Sequence, residues 1–195
     1  MTNARPTTTD RLALFGALTA VFGEMHPTFD NWAQRDFDAT HKGTYGDHLV
    51  YRDGTKVADD TDRAGEPTMT ASSFGRRCAA RHVASYTAGQ LASAVAITRA
   101  LGYRVPARAL LTGAAINAAT HLIIDRRKPL LWLADKLGKT SYVEHCTVVR
   151  KPGGDAEISG PGSALMELDQ ALHRAIGVGA ALTTTVLATR HRRPH

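Results

Sequence analysis

The segment Ala109-Leu-Leu-Thr-Gly-Ala-Ala-Ile-Asn-Ala-Ala-Thr-His121-Leu-Ile-Ile-Asp125 shows the pattern on which the fold of this chain can be predicted. It is apolar, rich in small residues and free of formal charge before its last position. These features are typical of a helix that packs closely on its neighbours. His121 and Asp125 close the segment at the i,i+4 spacing, which stacks two side chains on one face of a helix.

Three further apolar stretches carry a polar pair with the same spacing. In chain order, the four pairs are His26 with Asp30, His82 with Tyr86, His121 with Asp125, and Asp169 with His173. The pairs stand at the end of the first and third stretches and at the start of the second and fourth. If the helices run alternately up and down, all four pairs fall in one layer at the same end of a bundle. This placement predicts a functional site there.

The apolar stretches predict an all-α fold, a four-helix up-down bundle formed by a single helical domain of residues 1–195. Two irregular insertions are expected, at residues 44–73 and 140–163. The first contains Asp53-Gly54 between short β-prone runs, a pattern that predicts a small β-hairpin over residues 51–57. This insertion is either a flexible surface loop or a lid over the polar site, and the sequence leaves both open.

The N-terminal region carries its own helix signals. Asp10 is the predicted N-cap of the first helix. Pro27 disfavours the helical conformation at His26, so we expect a break there and a second helical segment beginning at Pro27. The apolar face of that segment is predicted to consist of Phe29, Trp32, Ala33 and Phe37.

Charge and cysteine content bear on the class of function. The formal net charge of +6 would suit nucleic acid, anionic lipid or an acidic partner. The basic residues are dispersed among acidic ones, however, so we expect no sequence-specific nucleic-acid binding. Cys78 and Cys146 form no CxxC motif, which predicts a reducing compartment or no structural disulfide. The segment Met1–Asp10 lacks the pattern of a secretory signal.

Hydropathy alone leaves the membrane question open. The runs at 83–98, 109–124 and 176–189 carry no formal charge and contain many small residues, which membrane helix interfaces prefer. Each run is shorter than the ~20 residues that span the hydrocarbon core of a bilayer. Buried helices of a soluble protein and membrane helices both fit this pattern.

Histidine nitrogens and aspartate oxygens together form a ligand set for zinc, and also for manganese or iron. The candidate metal ligands are His26, Asp30, His121, Asp125, Asp169 and His173. The residues expected to support the ligands from outside are Gln34, His41, His82, Tyr86 and Arg126. A metal with an open position generates hydroxide near neutral pH, and a spare side chain then acts as general base. The candidates for a catalytic role are Asp30, Asp125 and His82.

A purely structural interpretation of the same pairs also stands. Polar side chains at i,i+4 near helix ends form hydrogen-bonded networks that hold helices together without a metal. No serine or cysteine of this sequence has a nucleophile motif around it. Metal binding and a structural network therefore remain alternatives at this point.

Four motifs carry a resemblance to known families. They are His26-Pro-Thr-Phe-Asp30-Asn-Trp-Ala-Gln34, Arg81-His82-Val-Ala-Ser-Tyr86, His121-Leu-Ile-Ile-Asp125-Arg126-Arg127 and Asp169-Gln170-Ala-Leu-His173. As a set they resemble a family of uncharacterised small helical proteins of bacterial genomes, plasmids and phages. More distantly, the Asp-x3-Gln, Lys, His and His-x3-Asp elements of the chain resemble a domain-of-unknown-function family of multi-pass membrane proteins. The resemblance covers most of the chain outside residues 44–73. It implies a multi-pass helical fold with polar residues at one membrane face, and it implies no established activity.

The sequence therefore predicts a membrane-associated helical protein with a clustered His/Asp site that binds a divalent metal, zinc first, and acts as a metal-dependent hydrolase. The expected location is the cytoplasmic membrane, with the cytoplasm as alternative. The expected partner is the lipid bilayer, and a homo-oligomer remains open. The competing class is a non-enzymatic structural or interaction protein of a mobile element or phage. A basic nucleic-acid-binding accessory protein is the weaker alternative.

Overall fold

In the computed structural model, which describes residues 6–58, 63 and 65–190, the chain is mainly helical. The helices are α1 (Thr8–Thr19), α2 (Asp36–His41), α3 (Ala71–Ala100), α4 (Ala107–Ile124), α5 (Lys128–Lys136), α6 (Thr140–His145) and α7 (Ala164–Thr189). Two antiparallel strand pairs join β1 (Leu49–Val50) to β2 (Met69–Thr70) and β3 (Val148–Val149) to β4 (Ala156–Glu157). The all-α prediction is confirmed in broad terms, because both strand pairs lie within the predicted insertions.

The start of α1 differs from the prediction. Thr7, rather than Asp10, is the N-cap, and Asp10 lies one turn later as the other half of a capping box. The backbone N–H of Thr7 donates to Asp10 Oδ2 at 2.8 Å, and the N–H of Asp10 donates to Thr7 Oγ1 at 3.1 Å. Two of the unpaired N–H groups at the helix start are satisfied in this way.

The predicted break near Pro27 is present, one residue before its expected position. A π-helical turn at Ala20–Glu24 follows α1, the chain turns at Met25, and a second π-helical turn covers Thr28–Trp32. The predicted apolar face of this segment is wrong at Trp32, which is 88% exposed, and at Ala33, which is also exposed.

The first insertion has more structure than the sequence indicates. The predicted turn is confirmed, since the N–H of Gly54 donates to the carbonyl of Tyr51 at 3.0 Å and Val50 bridges to Lys56. In addition, β1 pairs with β2, whose residues the sequence placed in a loop. The second insertion likewise contains α6 and the β3–β4 pair, although it was predicted to be irregular.

The chain divides into two compact units. The first comprises the described residues of Met1–Ala33, Ser85–Thr120 and Gln170–His195, and the second those of Gln34–Ala84 and His121–Asp169. Within the first unit, the core consists of Leu14, Leu18, Val21, Phe22, Ala94, Leu110, Ala180 and Ala181. Small residues let its helices approach closely. A Cβ on Gly113 would collide with Thr184 Oγ1, and a Cβ on Gly177 with the backbone of Phe22.

The second unit has a smaller core formed by Val50, Ala71, Phe74 and Cys78. Arg81 on α3 holds α2 through Asp38, whose buried Oδ1 accepts from Nε at 3.0 Å and from Nη2 at 2.6 Å. Burial raises the pKa of the Cys78 thiol, so this cysteine is not an activated nucleophile. Both cysteines are free.

Two of the described helices are long and apolar enough to cross a membrane. They are α4, at 18 residues, and α7, at 26 residues. At 1.5 Å per residue these correspond to ~27 Å and ~39 Å of helix, against a hydrocarbon core of ~30 Å. Composition and length alone are the basis of this finding.

Candidate metal centre

Three of the predicted site residues meet in the second unit. His82 lies on α3, His121 lies on the last turn of α4, and Asp125 follows directly after α4. The i,i+4 spacing of His121 and Asp125 brings both side chains to one side of the chain, as predicted. All three side chains are almost completely buried.

The distances within this triad are short. His82 Nε2 and His121 Nε2 lie 2.8 Å apart, and they lie 3.3 Å and 3.1 Å, respectively, from Asp125 Oδ2. Two ligand atoms bound ~2.0–2.1 Å from a tetrahedral zinc are about 3.3 Å apart. The triad is therefore close to the spacing that a zinc ion requires, and its buried His and Asp groups could hold a metal ion.

A cation already neutralises the carboxylate of the triad. The Lys42 ammonium lies 3.1 Å from Asp125 Oδ2, and its side chain is only 16% exposed. Burial alone would raise the pKa of Asp125. The nearby Lys42 charge, followed by His121 and His82, outweighs burial and holds the pKa of Asp125 well below its usual range. The carboxyl group is therefore ionised at neutral pH.

Arg126 fixes the segment that carries Lys42. Its guanidinium donates to the carbonyl of Lys42 from Nη1 and to the carbonyl of Thr44 from Nη2, each at 2.8 Å. Gly75 on α3 makes room for this arrangement, because a Cβ there would overlap both Arg126 Nη1 and the Thr44 carbonyl. Arg126 thus supports the site by holding the backbone of the Lys42 segment.

The turn after Asp125 is strained. The backbone of Arg127 has a positive φ of 60°. Residues with a Cβ rarely adopt this conformation, which costs roughly 1–3 kcal/mol. Its side chain lies along Gly43, where a Cβ would collide with it. At this turn the two neighbouring arginines differ in burial: Arg126 is buried and Arg127 is exposed.

The first unit contains a second polar cluster around His26, which is fully buried. The Tyr86 hydroxyl lies 2.9 Å from His26 Nδ1, and Gln90 Nε2 lies 2.6 Å from the same hydroxyl. Gln90 Nε2 also donates to the carbonyl of Phe22 at 3.1 Å, and Gln90 Oε1 accepts from Asn117 Nδ2 at 3.1 Å. Four side chains therefore form one hydrogen-bonded chain.

The direction of these hydrogen bonds follows from the Phe22 carbonyl. A carbonyl only accepts, so the group of Gln90 beside it is the amide N–H₂, and Tyr86 accepts from that group. If the Tyr86 hydroxyl donates its proton to His26 Nδ1, a neutral His26 ring carries its own proton on Nε2. That nitrogen lies 3.6 Å from Asp30 Oδ2.

Asp30 and His173 belong to the same cluster. Asp30 Oδ2 accepts a hydrogen bond from Gln170 Nε2 at 2.7 Å. The ring of His173 stacks on that of His26, with centroids 4.6 Å apart and planes inclined by 18°. Within the first unit, the structure thus brings together the three predicted ligands His26, Asp30 and His173.

The remaining predicted residues lie in the second unit, where the carboxylate of Asp169 lies within 4.8 Å of that of Asp125. The His41 ring packs against the rings of Phe37 and Phe74, and its Nδ1 donates to the Phe37 carbonyl at 2.8 Å. Gln34 and Asp169 are half-buried. The ring contacts and this hydrogen bond fix the position of the His41 side chain.

Three residues that matter in these clusters were not among the predicted site residues. Gln90 continues the spacing of His82 and Tyr86 by four residues, and Asn117 precedes His121 by four. Extending the i,i+4 search by one turn would have found both. Lys42 carries no such signal, because it reaches Asp125 through the tertiary structure.

Comparison with known proteins adds no further assignment. No protein-family model, curated protein or solved structure matches this chain. The case for function therefore depends on the geometry of the described residues and on their chemistry.

Proposed function

We propose that this protein is a membrane-associated helical metalloprotein in which His82, His121 and Asp125 bind one divalent ion. The observation that supports the proposal is the approach of both histidine Nε2 atoms to within 3.3 Å of one buried carboxylate oxygen. Two imidazoles and one carboxylate are a common zinc set, and manganese and iron accept it as well. The motifs that resemble uncharacterised multi-pass membrane families include all three residues.

Zinc loading tests the metal assignment. The purified chain is stripped with a chelator, reloaded with zinc, dialysed and subjected to elemental analysis beside two variants. We expect one zinc per chain in wild type and in His145→Ala, which removes an exposed histidine of α6. We expect none in His121→Ala. Zinc should also raise the melting temperature of wild type, because it binds only the native state.

The position of Lys42 favours a second candidate function for the triad, a structural role without a metal. The Lys42 ammonium already balances Asp125, and one of the two Nε2 atoms can donate a hydrogen bond to the other. The triad would then be a buried polar network that stabilises the helices without a metal. Wild-type protein that retains no zinc, manganese or iron after loading would leave this network as the function of the triad.

We propose metal-assisted hydrolysis as the reaction class. Three protein ligands leave a fourth position for water, which is the pattern of catalytic zinc. Zinc at such a position lowers the pKa of bound water to ~7, so that hydroxide forms at neutral pH. The test is hydrolysis of chromogenic carboxyl and phosphate esters by zinc-loaded protein, with chelator-treated protein as control. Zinc-loaded protein that turns over neither class would contradict this reaction class and leave a structural zinc.

We propose a multi-pass location in the cytoplasmic membrane, with the four-helix up-down bundle as its architecture. The support comes from the length of α4 and α7 and from their large exposed apolar side chains, among them Leu111 and Leu182. Membranes from expressing cells are washed with alkaline carbonate. Retention in the washed membranes is the expected result, and release into the soluble fraction without detergent would contradict it.

A further inference from the structure

A groove of about 410 Å³ lies between α1 and the C-terminal part of α7, within the first unit. Its volume falls within the ~300–1,000 Å³ range of small-molecule pockets. The residues that define it are Arg11, Leu12 and Phe15 on α1, with Leu182, Val186 and Arg190 on or directly after α7. Neither the triad nor the cluster around His26 contributes to it.

The wall of the groove is apolar, although two threonines line it. Thr185 Oγ1 donates to the carbonyl of Ala181, and Thr189 Oγ1 donates to the carbonyl of Thr185, each at 2.8 Å. Both hydroxyls are satisfied within their own helix, so these residues offer little polarity to a bound molecule. Leu12 and Leu182 are both more than half exposed, an unfavourable state for large apolar side chains in water.

The charge of the groove is concentrated at one end. Arg11 lies near the start of α1 and Arg190 follows the end of α7, so both cations flank the same end of this antiparallel helix pair. The neighbouring acid, Asp10, is engaged with Thr7 in the capping box. Farther from the arginines, the groove is lined by Phe15 and Leu182. One end thus suits an anion and the other a hydrocarbon chain.

We propose that this groove binds an anionic phospholipid, with the phosphate between Arg11 and Arg190 and an acyl chain along Leu182 and Val186. The arginines supply charge-assisted hydrogen bonds to phosphate oxygens, and the apolar wall buries the chain. The inference rests on the membrane location in the proposed function and is independent of the metal. It adds a specific lipid ligand to what would otherwise be general contact with a bilayer.

The test measures binding of short-chain phosphatidylglycerol, with short-chain phosphatidylcholine as the zwitterionic comparison. The full chain is kept in mild non-ionic detergent, and bound lipid is counted by native mass spectrometry across a titration. Wild type should bind one phosphatidylglycerol in preference to phosphatidylcholine. Equal binding of the two lipids would overturn the proposal.

Matched variants separate the groove from general surface charge. Arg11→Gln should weaken phosphatidylglycerol binding about tenfold, the effect of one lost hydrogen bond to a charged group. Arg104→Gln removes the same charge from the exposed turn between α3 and α4 and should have little effect. Equal losses in both variants would show that only surface charge attracts the lipid, and would overturn the site.

A second pair of variants tests the acyl-chain part. Val186→Trp fills the groove from a partly exposed position and should abolish the binding of phosphatidylglycerol there. Val178→Trp places the same bulk on α7 at a similarly exposed position outside the groove and should preserve it. Unchanged binding of phosphatidylglycerol by Val186→Trp would overturn the placement of the acyl chain in the groove.

The two proposals fail in different ways. Zinc content and carbonate resistance are measured on the same preparations, and we expect both to be unchanged in the groove variants. Protein that resists carbonate but binds both lipids equally would contradict the groove alone. Protein released by carbonate would contradict the membrane location, whereas the short-chain lipid measurement would still be possible.

Discussion

The Lys42 ammonium lies 3.1 Å from Oδ2 of Asp125, the oxygen that His82 and His121 also approach. Three nitrogen atoms thus surround a single carboxylate oxygen in the interior of the second unit. Asp125 gives the set of metal ligands a negative charge, and Lys42 balances that charge when no metal is bound.

The Lys42–Asp125 pair should be strongly coupled. Lys42→Met or Asp125→Asn each removes one charge of a buried pair, and we expect the free energy of unfolding to fall by about 3–5 kcal/mol. The double variant should lose about 0.5–3 kcal/mol less than the sum of the two. Chemical unfolding in mild detergent measures all four species. The exposed pair Arg63–Asp53 serves as control and should show no measurable coupling.

The stability of the metal-free protein should depend on the ionisation of Asp125. Its pKa is lowered in the folded state, so its contribution to stability is complete above the unfolded pKa of ~3.9 and is lost as the pH falls towards the folded value. Wild type should therefore lose stability from about pH 5 downwards. Asp125→Asn should show a shallower loss over the same window. Parallel pH profiles of the two proteins would contradict the assignment.

Gly75 should not tolerate a side chain. In Gly75→Ala the new Cβ would overlap Arg126 Nη1 and the Thr44 carbonyl, and we expect about 1–3 kcal/mol of destabilisation together with weaker zinc binding. The matched control is Gly179→Ala on α7, where a Cβ meets nothing within 4 Å. That change should stabilise the protein by about 0.5–1 kcal/mol, because alanine favours a helix over glycine. Equal effects of the two changes would contradict the close packing around Arg126.

Tyr86 should fix the protonation of His26. Tyr86→Phe removes the hydroxyl between His26 Nδ1 and Gln90 Nε2, and leaving buried polar groups without it should cost about 1–3 kcal/mol. Nitrogen-15 NMR of wild type should show neutral His26 protonated at Nε2. Tyr142→Phe, at an exposed position of α6, should change stability by less than about 0.5 kcal/mol. A wild-type His26 protonated at Nδ1 would contradict the inferred direction of the network.

The sequence predicted the parts of the site that depend on local periodicity. The run ending in His121 and Asp125 is helical as far as Ile124, and its i,i+4 spacing brings both side chains together. The turn at Asp53-Gly54 follows equally from local backbone preferences. The prediction that all four polar pairs lie in one layer was based on the alternation of helix direction along the chain. The structure brings His26, Asp30 and His173 together in one unit, and His82, His121 and Asp125 together in the other.

Other features depend on tertiary contacts that no local pattern encodes. Lys42 reaches Asp125 because Arg126 holds the carbonyls of Lys42 and Thr44, and sequence spacing does not reveal such a contact. β1 pairs with β2 in addition to the bridge from Val50 to Lys56 across the turn. Local sequence patterns do not identify a pairing partner that lies about 20 residues further along the chain. Trp32 was placed on an apolar face by periodicity, but its segment is π-helical and the period differs there.

The most direct measurement of the central claim is anomalous X-ray diffraction at the zinc absorption edge from crystals of zinc-loaded protein. We expect one strong anomalous peak in the second unit, ~2.0–2.2 Å from His82 Nε2, His121 Nε2 and a carboxylate oxygen of Asp125. We also expect that the Lys42 ammonium has moved away from that oxygen, since two cations cannot occupy the same side of it. An unoccupied triad with Lys42 still 3.1 Å from Asp125 would contradict the claim.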